Sequence, residues 1–592
     1  MCGFLGKVSV KKLNTYKLSD SCSYINCRGP DSNVNKNFSN HGINFFLSFH
    51  RLKILDLNDL ANQPMYSDKY KTYCMFNGEI YNHKFLRKEL EAKGVKFKTS
   101  HSDSEVVLNG ISHEGINFIH KFRGQFSIFF LDLIKNKAYL ISDRVSQKPL
   151  YYCIENNSLI FSSNLKSILK SMETYDINTK NLEEYLAYGV VSSPNTLFEN
   201  IYKLNPASTV EISFNKNKFD IKKNTYWDPY NFIDNNELNE DIFFEILNEA
   251  VSLRSKADVE IANFSSGGID STSVIKSMAD NNFQINTFSV HLDDNRYDER
   301  YWSDQVSEKY NTKHNFVEIS ANINSSKINE SIESLDEPYS DPSVVPSYLL
   351  SKEISKKFKV AISGDGGDEL LGGYKRVSRT LNTSSNLLRN LYSFYPSFLG
   401  TGNEFLKSSK DKNLAYSSYF KDDKFIKLLG LKSEEILNVI NLDTDIDLYK
   451  AILIQDYKYY LPDMMMLKVD RTSMANSLEV RSPFVDHKLI EYVMSLNPNN
   501  EKLKSKKILK QYLQNDFSKE FVYRDKKGFI FNLEGWIFTN FNEVSQTIKT
   551  LENFSLDLKK INLLKINKSR INANRIWRLY VLSKYLLGIK YI

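Results

Sequence analysis

The sequence predicts two domains of different fold class. Residues 1–215 are expected to form an α+β domain built on antiparallel sheets, and residues 216–592 an α/β domain with a parallel sheet. Short alternating apolar segments dominate the first part, whereas apolar strands alternate with helix patterns from about residue 241. Two glycine-rich loops follow apolar strands in the second part, and parallel sheets place such loops where ligands bind.

Length, composition and charge limit the class of protein. A chain of 592 residues is too long for one hydrophobic core, and 41% hydrophobic with 25% charged residues is ordinary for a globular protein. The net charge of +7 is mild for this length, so we expect no nucleic-acid partner. There is no run of eighteen apolar residues that would predict a membrane span.

The cysteines favour a reducing compartment. All five lie in the first 153 residues at irregular spacings, and no CxxC pair occurs. We therefore expect neither a disulfide framework nor a zinc site. The N-terminal MCGFLGKVSVKKL lacks the long apolar stretch of a signal peptide, so the sequence predicts a cytoplasmic protein.

Strand patterns dominate the first domain. INFFLSFHRLKIL and GQFSIFFLDLIKNKAYLISD show the alternation of half-buried strands, and HKFLRKELEAKG predicts a helix. YCMFNGEIYNH reads as strand, turn, strand around Asn77-Gly78. The Asn-, Lys- and Asp-rich stretch from about 211 to 240 predicts an edge hairpin followed by a linker.

Strands and helices alternate in the second domain. DIFFEILNEAVSLRSKA predicts a helix that leads into the strand VEIANF, a glycine loop and another helix, and KKFKVAISGDGGDEL repeats the strand and loop. After about residue 380 the pattern is mostly helical. From Leu558 onward the chain has nine Lys or Arg and no Asp or Glu. We favour a C-terminal helix packed on the second domain over one that touches an anionic membrane.

Cys2 is the first candidate for chemistry. If Met1 is removed, Cys2 carries both a thiol and a free α-amine. The amine, with a pKa near ~8, can act as base for its own side chain, so one residue supplies nucleophile and base. The plainer alternative is a chance cysteine at this position.

Neighbouring segments supply groups for attack of a thiol on a side-chain amide. Arg51, near a strand end, can clamp an α-carboxylate in bidentate fashion. Asp103 can hold an α-ammonium group, and Asn77 with the Gly78 N–H can stabilise an oxyanion. Taken singly, these are usually a solvated arginine, a helix cap and a hairpin turn. Their occurrence together with Cys2 favours the chemical interpretation.

These motifs resemble a known domain. MCGFLG, RGPD, HRL, NQPM, FNGEIYNH and SDSEV are similar to the class II glutaminase domain of glutamine-dependent asparagine synthetases, which has an Ntn-hydrolase-like fold. In that family the N-terminal Cys attacks glutamine, so Cys2, Asn77 and Gly78 would be catalytic. The resemblance implies that glutamine is bound by Arg51, Leu52, Lys53, Ile54, Leu55, Asn77, Gly78, Glu79 and Asp103.

The first glycine loop predicts a phosphate site. Gly267 and Gly268 let backbone N–H groups approach an anion, and Ser266 and Ser271 add hydroxyl donors at the start of a helix. Asp270 can hold Mg²⁺, which a triphosphate needs. The spacing is not that of a Walker A loop. It resembles the pyrophosphate-binding loop (PP-loop) of enzymes that split ATP into AMP and pyrophosphate, whereas the plainer alternative is a helix-capping turn.

The second glycine loop, residues 363–369, places three acids among three glycines after the strand KVAIS. This composition suits a metal-bound polyphosphate beside a second substrate. By resemblance to asparagine synthetases, Asp365 would assist formation of the acyl-adenylate and Asp368 would join Asp270 as a metal ligand. The family's active-site lysine falls on Lys506, for which an exposed helical lysine is the alternative. The implied ATP-binding residues are Ser265, Ser266, Gly267, Gly268, Asp270, Ser271, Val290, Ser363 and Gly364.

The chain departs from the family pattern at several positions. Cys27 replaces a His before RGPD, and Ser265 replaces a hydrophobic residue before SGG. Val145-Ser146-Gln147 replaces Phe-Gly-Ile, and Asn164 replaces a Glu. The last two segments lie where the family's two domains meet, so these departures bear on ammonia transfer between the sites.

The sequence therefore predicts an enzyme that makes asparagine from aspartate, using ATP, Mg²⁺ and ammonia released from glutamine. One alternative is an amidotransferase acting on another carboxylate, such as a uronic acid in surface-polysaccharide assembly. Another is a non-catalytic regulatory protein on the same fold. We expect no membrane contact, and a homodimer is left open.

Overall fold

Two antiparallel sheets form the N-terminal domain in the computed structural model, which describes residues 2–214, 219–292, 298–320, 323–382, 411–524 and 531–590. The strands are β1 (Cys2–Ser9), β2 (Ser32–Asn40), β3 (Ile43–Arg51), β4 (Met65–Ser67), β5 (Thr72–Ile80), β6 (Gly124–Asp132), β7 (Lys137–Ser142), β8 (Tyr151–Glu155), β9 (Ser158–Ser162), β10 (Ile201–Lys203), β11 (Ser208–Phe214) and β12 (Phe219–Thr225). Among the described strands one sheet has the order β10-β8-β9-β1-β3-β2, and the other β12-β11-β7-β6-β5-β4.

The two sheets pack face to face because alternate residues of each strand are apolar. Phe4 of β1, Phe129 of β6 and Phe161 of β9 belong to one buried cluster between the sheets, and the Phe129 and Phe161 rings stack at 4.1 Å. Helices cover both outer faces: α1 (Thr15–Ser21), α2 (His83–Ala92), α3 (Asp103–Glu114), α4 (Leu165–Ser171) and α5 (Thr179–Tyr188). The predicted α+β class with antiparallel sheets is confirmed.

Two local predictions differ from the structure. Asn77-Gly78 is not a turn, because both residues lie inside β5 and pair with Ser127 and Phe126 of β6. Pairing with β6 continues through both residues, and Gly78 has a φ of +152°, a conformation that favours glycine. The hairpin is present, but the predicted boundary between residues 215 and 216 falls between its two strands, and β12 continues to Thr225 as the sheet edge.

A parallel sheet organises the second domain, as predicted. Its strands are β13 (Ile261–Phe264), β14 (Asn286–Leu292), β15 (Lys313–Ile319), β16 (Val360–Ile362) and β17 (Glu479–Arg481), in the order β15-β14-β13-β16-β17. The chain passes from β13 to β14 on one side and later to β16 on the other. This reversal creates a crevice at the carboxyl ends of β13 and β16, which is where parallel sheets bind ligands.

Helices surround this sheet and form the rest of the domain. They are α6 (Glu240–Arg254), α7 (Ile269–Asp280), α8 (Arg300–Tyr310), α9 (Ser325–Glu333), α10 (Val344–Ile354), α11 (Gly367–Leu370), α12 (Lys375–Asn382), α13 (Lys412–Ser417), α14 (Asp423–Leu428), α15 (Leu448–Gln455), α16 (Leu467–Met474), α17 (His487–Ser495), α18 (Lys507–Leu513), α19 (Lys519–Tyr523), α20 (Leu533–Thr539), α21 (Phe541–Ile548), α22 (Ile561–Ile566) and α23 (Arg570–Gly588). A π-helical segment, Asp456–Met466, joins α15 to α16.

The C-terminal helix α23 packs into the core, as we favoured. Trp577, Tyr580 and Leu586 are almost fully buried. Arg578 donates to the carbonyl oxygens of Leu186 and Ala187 at 2.7 and 2.8 Å, so the helix also holds the end of α5 in the first domain. In the part of the chain that the structure describes, no helix is long and apolar enough for a membrane span.

Candidate active site

Cys2 lies where the two sheets of the first domain meet. Pairing of β1 with β3 places it opposite Arg51, and its backbone nitrogen donates to Asn77 Oδ1 of the other sheet at 3.0 Å. Only 7% of Cys2 is exposed, and this burial raises the pKa of its thiol. The thiol therefore needs a base close by to react at neutral pH. Met1, whose removal would free the α-amine, lies outside the described residues.

Arg51 uses its terminal nitrogens within the loop that follows β3. They donate to the carbonyl oxygens of Leu55, Asp56 and Asn58 at 3.1, 2.5 and 2.9 Å, and to Asn62 Oδ1 at 2.9 Å. The side chain thus fixes the segment that contains the predicted glutamine-binding residues 52–55. Its role as a clamp for a substrate carboxylate stays a prediction.

Two buried carboxylates, Glu79 and Asp103, lie at the end of β5. Asp103 is the first residue of α3, and its Oδ2 accepts from the Ile80 N–H at 3.0 Å, next to Glu79. Burial raises the pKa of Asp103, while burial and the nearby Asp103 carboxylate raise that of Glu79. Arg481 Nη2 lies 3.5 Å from Glu79 Oε2 and offsets part of this charge. Binding of an α-ammonium group by Asp103 stays a prediction.

Gly78 is required by close packing of two strands. A Cβ at this position would lie 2.0 Å from the carbonyl oxygen of Gln125. Asn77 is fully buried, and its Nδ2 lies 3.4 Å from Ser127 Oγ. Both residues are thus held rigidly beside Cys2, as an oxyanion site requires, and the oxyanion role itself stays a prediction.

The two glycine loops of the second domain meet at the sheet crevice. A Cβ on Gly364 would lie 2.6 Å from the backbone nitrogen of Ser271, so the loops are in contact. Ser266 Oγ accepts from the Gly268 N–H at 3.2 Å and lies 3.3 Å from Ser271 Oγ. Gly268 is the N-cap of α7, a helix of 12 residues. This geometry can hold an anion.

Lys506 joins the two loops. Its Nζ lies 2.6 Å from Asp270 Oδ2 and also contacts Asp368 Oδ1. Lys506 is only 6% exposed and has a φ of +58°, so the alternative of an exposed helical lysine is wrong. Two carboxylates that converge on one cationic atom also fit Mg²⁺, which takes one or two carboxylates and completes its shell with phosphate oxygens and water.

The remaining predicted ATP residues line the same crevice. Ser265 directly follows β13 and donates its N–H to the carbonyl oxygen of Phe288 in β14 at 2.8 Å, two residues before Val290. Ser363 directly follows β16, and its Oγ lies 2.9 Å from Ser482 Oγ. Asp365 is half-buried in the loop between Ser363 and Asp368. Their roles with nucleotide stay predictions.

Two residues near the crevice had no predicted role. Arg524 stacks on the Trp302 ring at 4.4 Å and donates to the carbonyl oxygen of Gly267, which it holds in place. Burial and the Asp368 carboxylate raise the pKa of Glu369 to about 7, and the Tyr374 hydroxyl donates to Glu369 Oε1 at 2.7 Å. Nothing in the sequence around Arg524 marks it as a site residue. Glu369 could have been noticed, because it lies in the second glycine loop, which was predicted to bind a ligand.

We expect Gly364→Ala to lower ATP-dependent pyrophosphate release by about 10²-fold, because the added methyl group must push the two loops apart. Glutamate release from glutamine should be unaffected. Gly588→Ala is the matched control, since a Cβ there meets nothing within 4 Å. Wild-type pyrophosphate release by Gly364→Ala would show that contact between the loops is unimportant.

Comparisons with known proteins identify both domains. The family model described as glutamine amidotransferase domain matches residues 1–227, and the one described as asparagine synthase matches residues 243–561. Glutamine-hydrolyzing asparagine synthetase 1 of Bacillus subtilis (strain 168) is 27% identical over 92% of this chain and 89% of that protein. Putative glutamine-hydrolyzing asparagine synthetase 2 of Methanocaldococcus jannaschii is 28% identical over 80% of this chain and 98% of that protein.

A weaker likeness is found among solved structures. The glutamine phosphoribosylpyrophosphate amidotransferase from B. subtilis is 11% identical, with a TM-score of 0.28, over 53% of this chain and 65% of that one. The asparagine synthase match alone spans more than half of the 592 residues. The chain therefore belongs to the asparagine synthase family and is an ATP-dependent amidotransferase ligase with an N-terminal glutamine amidotransferase domain.

Proposed function

We propose that the chain makes asparagine from aspartate, with glutamine as nitrogen donor and ATP as the source of activation. The products are asparagine, glutamate, AMP and pyrophosphate. The observation that carries this proposal is the meeting of two loops at Lys506, which contacts both Asp270 and Asp368. This arrangement suits a triphosphate beside a second anionic substrate, in the same chain as a buried thiol.

In the first half-reaction the Cys2 sulfur attacks the side-chain amide carbon of glutamine. The thiol proton passes to the Cys2 α-amine and then to the departing nitrogen, which leaves as ammonia. Asn77 and the Gly78 N–H would stabilise the oxyanion, and Asp103 with Glu79 would hold the substrate ammonium. Water then hydrolyses the thioester to glutamate and frees the thiol.

In the second half-reaction a carboxylate oxygen of aspartate attacks the α-phosphorus of ATP, and pyrophosphate leaves. Ammonia then attacks the acyl carbon, and AMP leaves with the former carboxylate oxygen. The loop around Gly268 would bind the phosphates, and Lys506 would neutralise their charge. Asp270 and Asp368 would hold Mg²⁺, which supplies charge neutralisation on the triphosphate when bound.

The acceptor is tested by incubating the protein with glutamine, ATP and Mg²⁺ and a panel of carboxylates that includes aspartate, glutamate and uronic acids. Mass analysis of the products should show asparagine with one AMP and one pyrophosphate for each amide formed. If an amidated uronic acid forms instead of asparagine, the acceptor is the uronic acid and not aspartate. If neither glutamate nor pyrophosphate forms, the protein is not a catalyst, and a regulatory role takes precedence.

A further inference from the structure

A buried contact joins the second domain to the residue that carries the thiol. Arg28 donates from Nε to the carbonyl oxygen of Cys2 at 3.2 Å. Its terminal nitrogens bind the two carboxylate oxygens of Asp470 at 2.8 and 3.0 Å. We propose that Asp470, in the second domain, is a positioning residue for the Cys2 nucleophile. This inference rests on the proposed function of Cys2.

The contact fixes Cys2 from its carbonyl side. Its nitrogen is already held by Asn77 Oδ1, so both polar backbone atoms of the nucleophilic residue have a side-chain partner. A guanidinium bound by two parallel hydrogen bonds has one orientation, and this orientation aims Nε at the Cys2 carbonyl. Asp470 thereby sets the direction from which Arg28 holds Cys2, and with it the placement of the thiol.

Asp470 is itself held firmly. It lies on α16 with 1% exposure, and the next residue, Arg471, binds Asp336 at 2.8 Å. Asp336 accepts from the Leu165 N–H of the first domain at 3.1 Å, so α16 is anchored at the domain interface on a second side. Burial opposes ionisation of Asp470, but Arg28 and Lys148 outweigh it and hold its pKa at about 2. The carboxylate therefore stays charged at every pH at which the enzyme would work.

Lys148 also lies 3.6 Å from Asp470, and two other ion pairs across the interface involve different carboxylates. Arg123 of the first domain binds Asp486 at 2.8 Å, and Lys203 binds Glu337 at 3.0 Å while donating to the Val191 carbonyl. Among the described contacts, neither Arg123 nor Lys203 donates to Cys2, whereas Arg28 does. The Arg28–Asp470 pair differs because Arg28 Nε, which does not bind Asp470, donates to the carbonyl oxygen of Cys2.

The test is Asp470→Asn, assayed by glutamate release from glutamine with no ATP and no acceptor. We expect kcat to fall about 10²-fold, because a small misplacement of a reacting group costs about that much. KM for glutamine should be unchanged, because Asp470 acts on Cys2 through Arg28 and has no predicted role in binding glutamine. Amide synthesis from ammonium and ATP should be retained. Labelling of Cys2 by a diazo-ketone analogue of glutamine, followed by intact mass, should slow by a similar factor.

Asp463→Asn is the matched control. Asp463 is also buried at the interface, seven residues earlier, where it accepts from the Ser193 N–H at 3.0 Å and lies 3.4 Å from Lys203. A merely structural role for interface carboxylates would lower glutamate release equally in both variants, and that result would overturn the proposal. Unchanged kcat in a folded Asp470→Asn protein would also overturn it.

If Asp470→Asn fails to fold, the double variant Arg28→Gln with Asp470→Asn is tested in its place, because it removes both charges of the Arg28–Asp470 pair. It should also lose glutamate release and keep ammonium-dependent synthesis; normal glutamate release would refute the inference. Glutamate release by the wild-type protein distinguishes failure of the proposed Cys2 function from failure of the proposed Asp470 role. If it releases no glutamate, the proposed function of Cys2 fails, whereas normal release by wild type and variants alike removes only the role of Asp470.

Discussion

Cys2→Ala should abolish glutamate release from glutamine, with a fall of roughly 10⁴-fold or more, because the sole nucleophile of the first half-reaction is lost. Synthesis from ammonium and ATP should persist, since the predicted phosphate site lies in the other domain. The removed side chain is small and lies at the margin of a core, so the fold should survive. The measurement is glutamate release beside amide formation from ammonium in the same preparation.

Cys27→Ser is the control for this variant, because Cys27 is exposed and free. It should hydrolyse glutamine at the wild-type rate. Intact mass of the active enzyme should lack Met1, since only then is the α-amine of Cys2 available as a base. Normal hydrolysis by Cys2→Ala, or full activity of a protein that retains Met1, would contradict the corresponding part of the mechanism.

Asp270→Asn should lower ATP-dependent pyrophosphate release by about 10²–10³-fold while leaving glutamate release intact. The change removes a negative charge that both contacts Lys506 and fits a metal ligand. Lys506 keeps its contact with Asp368, so the buried cation is not left alone. Pyrophosphate release with excess Mg²⁺ measures the effect, and Asp365→Asn should give a loss of the same order if Asp365 assists adenylate formation.

Asp280→Asn provides the comparison on the same helix. Asp280 lies at the other end of α7, where it accepts from the Tyr512 hydroxyl at 2.9 Å and lies 3.4 Å from Lys276. It should leave pyrophosphate release unchanged. Equal losses in Asp270→Asn and Asp280→Asn would point to damage to the helix, and full activity of Asp270→Asn would remove Asp270 from the site.

Local sequence patterns were sufficient to predict secondary structure where neighbouring residues in the chain determine the conformation. The alternation of apolar residues in β3 and β6 predicted antiparallel strands, and a strand followed by Ser266-Gly267-Gly268 predicted a loop that opens a helix. Asn77-Gly78 shows where such reasoning fails. A dipeptide that forms turns in isolation stays in a strand here, because β6 satisfies its backbone hydrogen bonds across the sheet.

The two fold classes, the candidate thiol and the two glycine loops could be predicted from the sequence, because each depends on a short stretch of chain. Burial of Lys506 between Asp270 and Asp368, and the hydrogen bonds of Arg51 to its own loop, could be seen only in the folded chain. The same holds for Arg28 and Asp470, which lie 442 positions apart. Burial of a charged side chain requires a partner that offsets its desolvation, and no local pattern identifies a partner that is distant in sequence.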